Sequence, residues 1–318
     1  MHKVLITTFP REWDARDVLS LLEMQDCEVS LHYPAGPLSE DLLIRLLDGV
    51  DGIIPGGHPF TRRVLSTTTN LKIIARTGVG FDTIDLDAAS EHGIIVTTTP
   101  EANTDSVAEL ALGLMLSIAR NIPQGDRSVR AGGWSPQIGV ELQRKTLGII
   151  GLGKIGKRLV KRASGFDMKI LAYDLHPDET FATEHGVDFL SLDRLLSRAD
   201  FISIHSPLSP ETTGLIGEQE LKLMKPTSYL INTARGPIVD ESSLIKALQS
   251  GWIAGAGLDV FTEEPPMNSP LLSIDNVVLG PHAASFTQEA WHRMAIGAAQ
   301  NVVKVFAGKE PVGVVNPS

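Results

Sequence analysis

The chain is nearly devoid of cysteine. Cys27 is the only one, so no disulfide can form within the chain, and zinc sites built on paired thiolates are excluded. A reducing, cytoplasmic setting is expected, with no metal centre. Long apolar runs are missing as well: the longest, residues 110–119, is bounded by Glu109 and Arg120. A membrane span needs roughly 20 such residues. The start, MHKVLITTFP, has an apolar run that stops at Thr7, too brief for a signal-peptide core, so a soluble protein is expected. Positive charge is in deficit, with 28 basic residues against 38 acidic ones, and the net charge of -10 repels phosphate backbones unless basic residues cluster. Neither nucleic acid nor a membrane is an expected partner. Solenoid repeats and low-complexity tracts are absent from the sequence.

What the sequence does contain is material for two globular domains. It has 318 residues, 42% of them hydrophobic and 21% charged, against a prior of about 150 residues per domain. Short runs of Val, Ile and Leu alternate with segments of helical period, the pattern of parallel α/β architecture. Strands are expected at 3–7, 51–54, 72–75 and 94–97, with helices near 14–24 and 39–47. Pro100 then halts regular structure, and Ser106 with Glu109 reads as a capping box opening a helix to about Ala119. A domain crossing belongs here. After a polar stretch around Trp134 and Pro136, six strands follow at 146–150, 169–173, 201–205, 229–232, 256–259 and 277–279, enough for a doubly wound sheet. Ser285 with Gln288 reads as a second capping box, opening a helix to about Phe306 before Gly308 and Pro311. Its position points to a return to the first domain.

The strand KTLGII runs directly into GLGKIG, with Gly151, Gly153 and Gly156 in the spacing that binds a dinucleotide pyrophosphate. Gly151 suits a tight turn, Gly153 a close backbone approach to phosphate, and Gly156 close packing of the following helix. Asp174 ends the next strand, 23 residues beyond Gly151, where a carboxylate meets the adenosine ribose. The residues after it, LHPDE, offer no cation to a 2′-phosphate, and Asp178 and Glu179 would repel one. NAD is therefore expected over NADP.

Ligands of open α/β sheets bind beyond the C-terminal strand ends. Here those ends carry the glycine loop, Asp174, Ser206 and Pro207, then Thr233, Ala234 and Arg235, then Asp259, and finally His282. Arginine can hold a carboxylate through a bidentate pair, histidine can pass a proton near neutral pH, and a carboxylate such as Glu264 beside it can support its charged form. Those groups match hydride transfer at a 2-oxo or 2-hydroxy acid. Asp259 has two readings, a contact to the nicotinamide amide or a strand terminator.

With GLGKIG, Asp174, INTARGPIVDE, GLDVFTEEP, GPHAA, RTGVGFDTID and NTDSVAEL in one order, the sequence resembles the NAD-dependent D-isomer-specific 2-hydroxyacid dehydrogenases over essentially its whole length. The resemblance implies a Rossmann-type doubly wound domain, residues 99–286, inserted into a smaller flavodoxin-like α/β substrate domain made of residues 1–98 and 287–318, closing over it. It implies His282 as acid/base, Glu264 as its tuning carboxylate and Arg235 as the residue that holds and polarises substrate. It further implies Val79 and Gly80 amides for the substrate carboxylate, and Ile155, Asp174, Pro207, Ala234 and Asp259 in contact with cofactor. A homodimer through the NAD-binding domain is implied too, with the segment around Trp134 as an arm.

Within the family, VELQRKTLGIIGLGKIG and RTGVGFDTID look most like the D-3-phosphoglycerate dehydrogenases, with hydroxypyruvate and glyoxylate reductases beside them. Two readings stay open for Arg62 and Arg63: contact with a substrate phosphate, or a solvated helix face. Feedback by serine through a C-terminal regulatory domain is not expected of a chain ending at Ser318. A further reading from a different class is an NADH-sensing, corepressor-like binding protein.

Overall fold

The computed structural model describes residues 1–8, 10, 13–34 and 36–316. Its contacts divide the chain into two units, Met1–Asn103 with Thr287–Ser318, and Thr104–Phe286. The first crossing lies later than the 98/99 boundary read from sequence. Backbone bonds explain this: Thr98 N donates to Gly313 O (2.9 Å) and Thr99 N to Gly78 O (2.9 Å), tying both residues to the first unit.

The first unit is built on a five-stranded sheet: β1 (His2–Ile6), β2 (Cys27–Leu31), β3 (Gly52–Ile54), β4 (Ile73–Ala75) and β5 (Ile95–Thr97). Their order is β2-β1-β3-β4-β5, the flavodoxin-like arrangement, and every pairing is parallel. β3 and β4 are wholly buried because helices cover both faces, which is why they read as unbroken apolar runs. β2 is a strand the sequence reading lacks. It sits at the sheet edge, its sequence CEVSL keeps only Cys27 buried, and edge strands of this kind carry little apolar signal.

The helix Gln288–Phe306 belongs to this unit and lays Ala295, Ala298 and Ala299 into the same core cluster as Val4, Ile54 and Ile73. Its cap corrects the sequence reading. Thr287, not Ser285, accepts from Ala290 N through its hydroxyl. Gly308, at φ +65°, follows the end of the helix.

The second unit carries seven parallel strands: β6 (Thr146–Ile150), β7 (Lys169–Tyr173), β8 (Val187–Phe189), β9 (Phe201–Ile204), β10 (Tyr229–Asn232), β11 (Gly255–Leu258) and β12 (Val277–Leu279). Their order, β12-β11-β10-β9-β6-β7-β8, reverses at β6 and leaves a crevice beside β9, as in doubly wound nucleotide-binding sheets. The strand beyond the six expected is β8, a three-residue edge with exposed Asp188. Ser106 is no cap: the helix Thr104–Ala119 starts before it. Its hydroxyl donates to Ala284 O (2.6 Å), and Glu109 accepts from Arg162 (2.8 Å) instead of closing a capping box. Among the described residues, no helix is long and apolar enough to cross a membrane.

Candidate active site

Because all seven strands of the second sheet run parallel, their C-terminal ends share one edge, and the loops leaving that edge carry the expected residues. Gly151 has φ +90°, and a Cβ on it would lie 2.6 Å from Ser206 N. A Cβ on Gly156 would lie 2.6 Å from Gly151 O. Only hydrogens at these positions let β6, β9 and the helix Lys154–Ala163 close together. Gly153 caps that helix without a side chain to fill its first amides, and the space about it is open. Unfilled amides at a helix N-terminus suit a phosphate.

Asp174 follows β7 with both oxygens oriented by backbone: Oδ2 accepts from Leu152 N (2.7 Å) and Oδ1 from His176 N (2.8 Å). Its carboxylate is thereby fixed against the glycine loop. Ile155 is half-buried on the first helical turn. Pro207 is exposed after β9, its carbonyl accepting from the Thr212 hydroxyl (2.7 Å). Ala234 N donates to Asn232 Oδ1 (3.0 Å).

Three buried polar atoms at the ends of β9 and β10, Ser206 Oγ, Thr233 Oγ1 and His205 Nδ1, have no hydrogen-bond partner among the described residues. Buried polar groups are rarely left so unless a ligand completes them. A dinucleotide lying along the glycine loop would bring polar groups to this edge, so the residues present fit one. His205 is neutral, since burial holds its imidazole down to about 4, and its Nε2 lies 2.8 Å from Ser203 Oγ. Ser206 and Thr233 already stand in the strand-end series, but only burial singles them out.

The chemistry-bearing groups converge in the same unit. Asn232 folds the turn after β10 by donating from Nδ2 to Arg235 O (2.9 Å), and Arg235 Nη1 donates to Ala234 O (2.7 Å). Next to it, a Cβ on Gly236 would lie 2.0 Å from the carbonyl carbon of Phe261, so the arginine turn rests directly on the loop leading to Glu264. Glu264 accepts from Phe261 N at Oε1 (3.0 Å) and from His282 Nδ1 at Oε2 (2.7 Å). With Nδ1 so engaged, Nε2 is the nitrogen left for substrate. Burial pushes the Glu264 carboxyl up, but the hydrogen bond and charge of His282, the Phe261 amide and Arg235 together hold it below its ordinary value.

His282 adopts a left-handed backbone, φ +53°, which costs energy unless its surroundings hold it. Asp259 supplies the hold. Its carbonyl accepts from His282 N (2.8 Å), its Oδ1 from Ala283 N (2.9 Å) and its Oδ2 from Ala284 N (2.8 Å). The side chain is fully buried, and burial pushes its carboxyl up against the downward pull of those amides. Of the two sequence readings of Asp259, neither mentions this scaffold beneath the histidine turn. His282 and Glu264 themselves are 46% and 36% exposed, so their proton can exchange with solvent.

In the first unit, Val79 and Gly80 form a turn after β4. Gly78 precedes them at φ +120°, its N donating to Thr99 Oγ1 (2.8 Å) and its O accepting from Thr99 N. Neither Val79 N nor Gly80 N donates a hydrogen bond among the described residues. Of the two readings of Arg62 and Arg63, the structure favours the solvated face: Arg62 pairs with Glu91 and Arg63 with Glu40 and Asp41.

Strand ends shaped for a nucleotide, beside a histidine hydrogen-bonded to a carboxylate, mark the class of dinucleotide-dependent dehydrogenases. The chain belongs to the D-isomer specific 2-hydroxyacid dehydrogenase family, whose NAD binding domain matches residues 112–284. It is 45% identical over 308 residues to a glyoxylate reductase of Thermofilum pendens, covering 94% of this chain and 91% of that one. It is 43% identical over 319 residues to a D-3-phosphoglycerate dehydrogenase of Methanocaldococcus jannaschii, covering 99% of this chain but only 60% of that longer one. Among solved structures, a D-lactate dehydrogenase of Aquifex aeolicus complexed with NAD and lactic acid superposes with a TM-score of 0.86 at 32% identity, covering 99% of this chain and all of that one.

Proposed function

We propose that this chain moves a hydride between NAD and C2 of a small D-2-hydroxy acid or its 2-oxo partner. The observation that carries the reading is the His282–Glu264 hydrogen bond beside Arg235, at the strand edge that also bears the glycine loop and the unpartnered polar atoms. The nicotinamide, when bound, supplies or takes the hydride at C2. Gly151, Gly153, Gly156 and Ile155 cradle the pyrophosphate, Asp174 receives the adenosine ribose, and Pro207 and Ala234 line the remainder of the cofactor groove, with buried Asp259 behind it as the support of the His282 turn. Arg235 holds the substrate and polarises its C2 oxygen, while the Val79 and Gly80 amides receive its carboxylate. Protonated His282 delivers a proton from Nε2 to the C2 oxygen during reduction and takes it back during oxidation.

Glu264 accepts the Nδ1 hydrogen bond that leaves Nε2 of His282 for substrate, and its own carboxyl is held low in return. Glu264→Gln keeps an acceptor oxygen but loses the charge, so kcat/KM for reduction is expected to fall by about tenfold or more, the size of one charged hydrogen bond. An unchanged kcat/KM in the variant would break the pairing.

Asp174 accepts two backbone amides and has Asp178 close by in sequence, an unfavourable setting for a 2′-phosphate and the reason NAD is read over NADP. Asp174→Ala is expected to erode the NAD preference by about tenfold or more in kcat/KM, the size of one charged hydrogen bond. An unchanged NAD to NADP ratio counts against this assignment.

The finer reading of substrate is D-3-phosphoglycerate, on the strength of RTGVGFDTID and the long match through the glycine loop. Glyoxylate or hydroxypyruvate is the second reading, and it is favoured by the ion pairs that occupy Arg62 and Arg63 and leave neither disposed toward a phosphate. Comparing kcat/KM for 3-phosphohydroxypyruvate, hydroxypyruvate and glyoxylate separates them. The alternative reading as an NADH-sensing binding protein predicts tight NADH binding with no turnover on any of the three. A cytoplasmic homodimer is part of the proposal, with the segment bearing Trp134 and Ile138, 87% and 101% exposed, as the contact between copies.

A further inference from the structure

Arg76 opens the RTGVG motif and has no role in the reading above. It follows β4, and its backbone N donates to Thr97 O (2.8 Å) at the end of β5. Its guanidinium reaches across two loops. Nη1 donates to Pro55 O (3.2 Å) and to Gly56 O on the loop after β3, and Nε donates to Gly80 O (3.1 Å) in its own turn. A guanidinium carries its donors in a rigid fork, so a single side chain fixes the spacing of both loops.

The same loop after β3 holds His58, which is 2% exposed. Leu38 N donates to its Nδ1 (3.1 Å), leaving Nε2 as the donor to Thr7 Oγ1 (2.8 Å). That arrangement is a neutral imidazole, in keeping with burial and the nearby Arg76 charge, which hold it down to about 4. Arg76 is therefore the cation facing the Gly80 carbonyl, and His58 adds no second one.

Thr99 clasps the turn at Gly78 through its hydroxyl and its amide, and Arg76 clasps it at Gly80 through the carbonyl oxygen. The segment between is bracketed, with the Val79 and Gly80 amides the groups left over. Two neighbouring amides without partners, backed by a positive charge, make an anion-receiving concavity.

We propose that Arg76 is a positioning residue for substrate: by gripping Gly80 O and the β3 loop together, it holds the Val79–Gly80 amides in the orientation that receives the carboxylate of a 2-oxo acid. The proposal rests on the reading of Val79 and Gly80 given above. Its signature is loss of substrate affinity without loss of cofactor affinity or of the chemical step.

The test compares Arg76→Met, Arg76→Lys and Thr99→Val with the parent protein, using glyoxylate and hydroxypyruvate in steady-state assays and NADH titration by fluorescence. Arg76→Met is expected to raise KM for both acids by about 10- to 100-fold, the size of a charged hydrogen-bond loss. Its kcat and NADH dissociation constant stay within about threefold, and Arg76→Lys falls between, because an ammonium keeps the charge but not the fork. If Arg76→Met does not fold, Arg76→Lys is judged by the same split. Unchanged KM in the Arg76 variants with a raised KM in Thr99→Val overturns the role of Arg76 and leaves the carboxylate turn standing. Unchanged KM in all three removes the turn itself, and a uniform fall in kcat and NADH affinity with constant KM shows Arg76 to be structural only.

Discussion

His282→Ala is expected to lower kcat by about 10²- to 10⁴-fold, the contribution of a positioned general acid or base, while NADH affinity stays within a few-fold. The split follows from where the groups sit. Nδ1 of His282 is spent on Glu264 and its backbone N on Asp259 O, so only Nε2 remains to act on substrate. The glycine loop, Asp174 and the helix at Gly153 are held by contacts of their own. Steady-state rates paired with NADH titration read both halves. A variant turning over at near-normal kcat takes His282 out of the proton transfer.

Gly236→Ala should be nearly as damaging, although the residue has no functional group. A methyl there would sit 2.0 Å from the Phe261 carbonyl carbon and 2.1 Å from its oxygen, both backbone atoms that no rotamer change can move aside. The arginine turn and the loop carrying Glu264 must separate, and a displacement of about 1 Å at a catalytic group costs on the order of 100-fold in rate. The expected result is a loss of kcat/KM of that size together with a lowered melting temperature, as overpacking a tight contact destabilises by about 1–3 kcal/mol. Wild-type rates in Gly236→Ala would mean that the two loops are not braced against each other.

Much of this architecture could be read from the chain itself because parallel sheets announce their central strands. β3, β4, β9 and β10 are mostly apolar and buried on both faces, and the glycine fingerprint names the first strand of the nucleotide-binding sheet. What escaped lies where burial is partial. β2 and β8 are edge strands with charged residues, and the caps at Ser106 and Ser285 fit the sequence rule, but one helix already starts at Thr104 and the other is capped by Thr287.

At the site, residue types at strand ends pointed to Arg235, Glu264 and His282, because those loops stay near one edge whatever the helices do. The support beneath them could not be read. Asp259 accepting the amides of Ala283 and Ala284, Asn232 folding the arginine turn and Arg76 clamping two loops are all interactions of side chains with backbone distant in sequence or hidden in a turn. No spacing rule announces them. The unpartnered Ser206, Thr233 and His205 atoms are likewise visible only once burial is known.

The central claim, hydride transfer to C2 with His282 supplying the proton, is tested most directly by following the label. Reduction of hydroxypyruvate with NADH deuterated at C4 of the nicotinamide, on the face found to transfer, is expected to give D-glycerate carrying one deuterium at C2. In His282→Ala the product should form about 10²- to 10⁴-fold more slowly with the same label position. Product of the L configuration, deuterium lost to water, or tight NADH binding without product from hydroxypyruvate, glyoxylate and 3-phosphohydroxypyruvate alike would contradict the account.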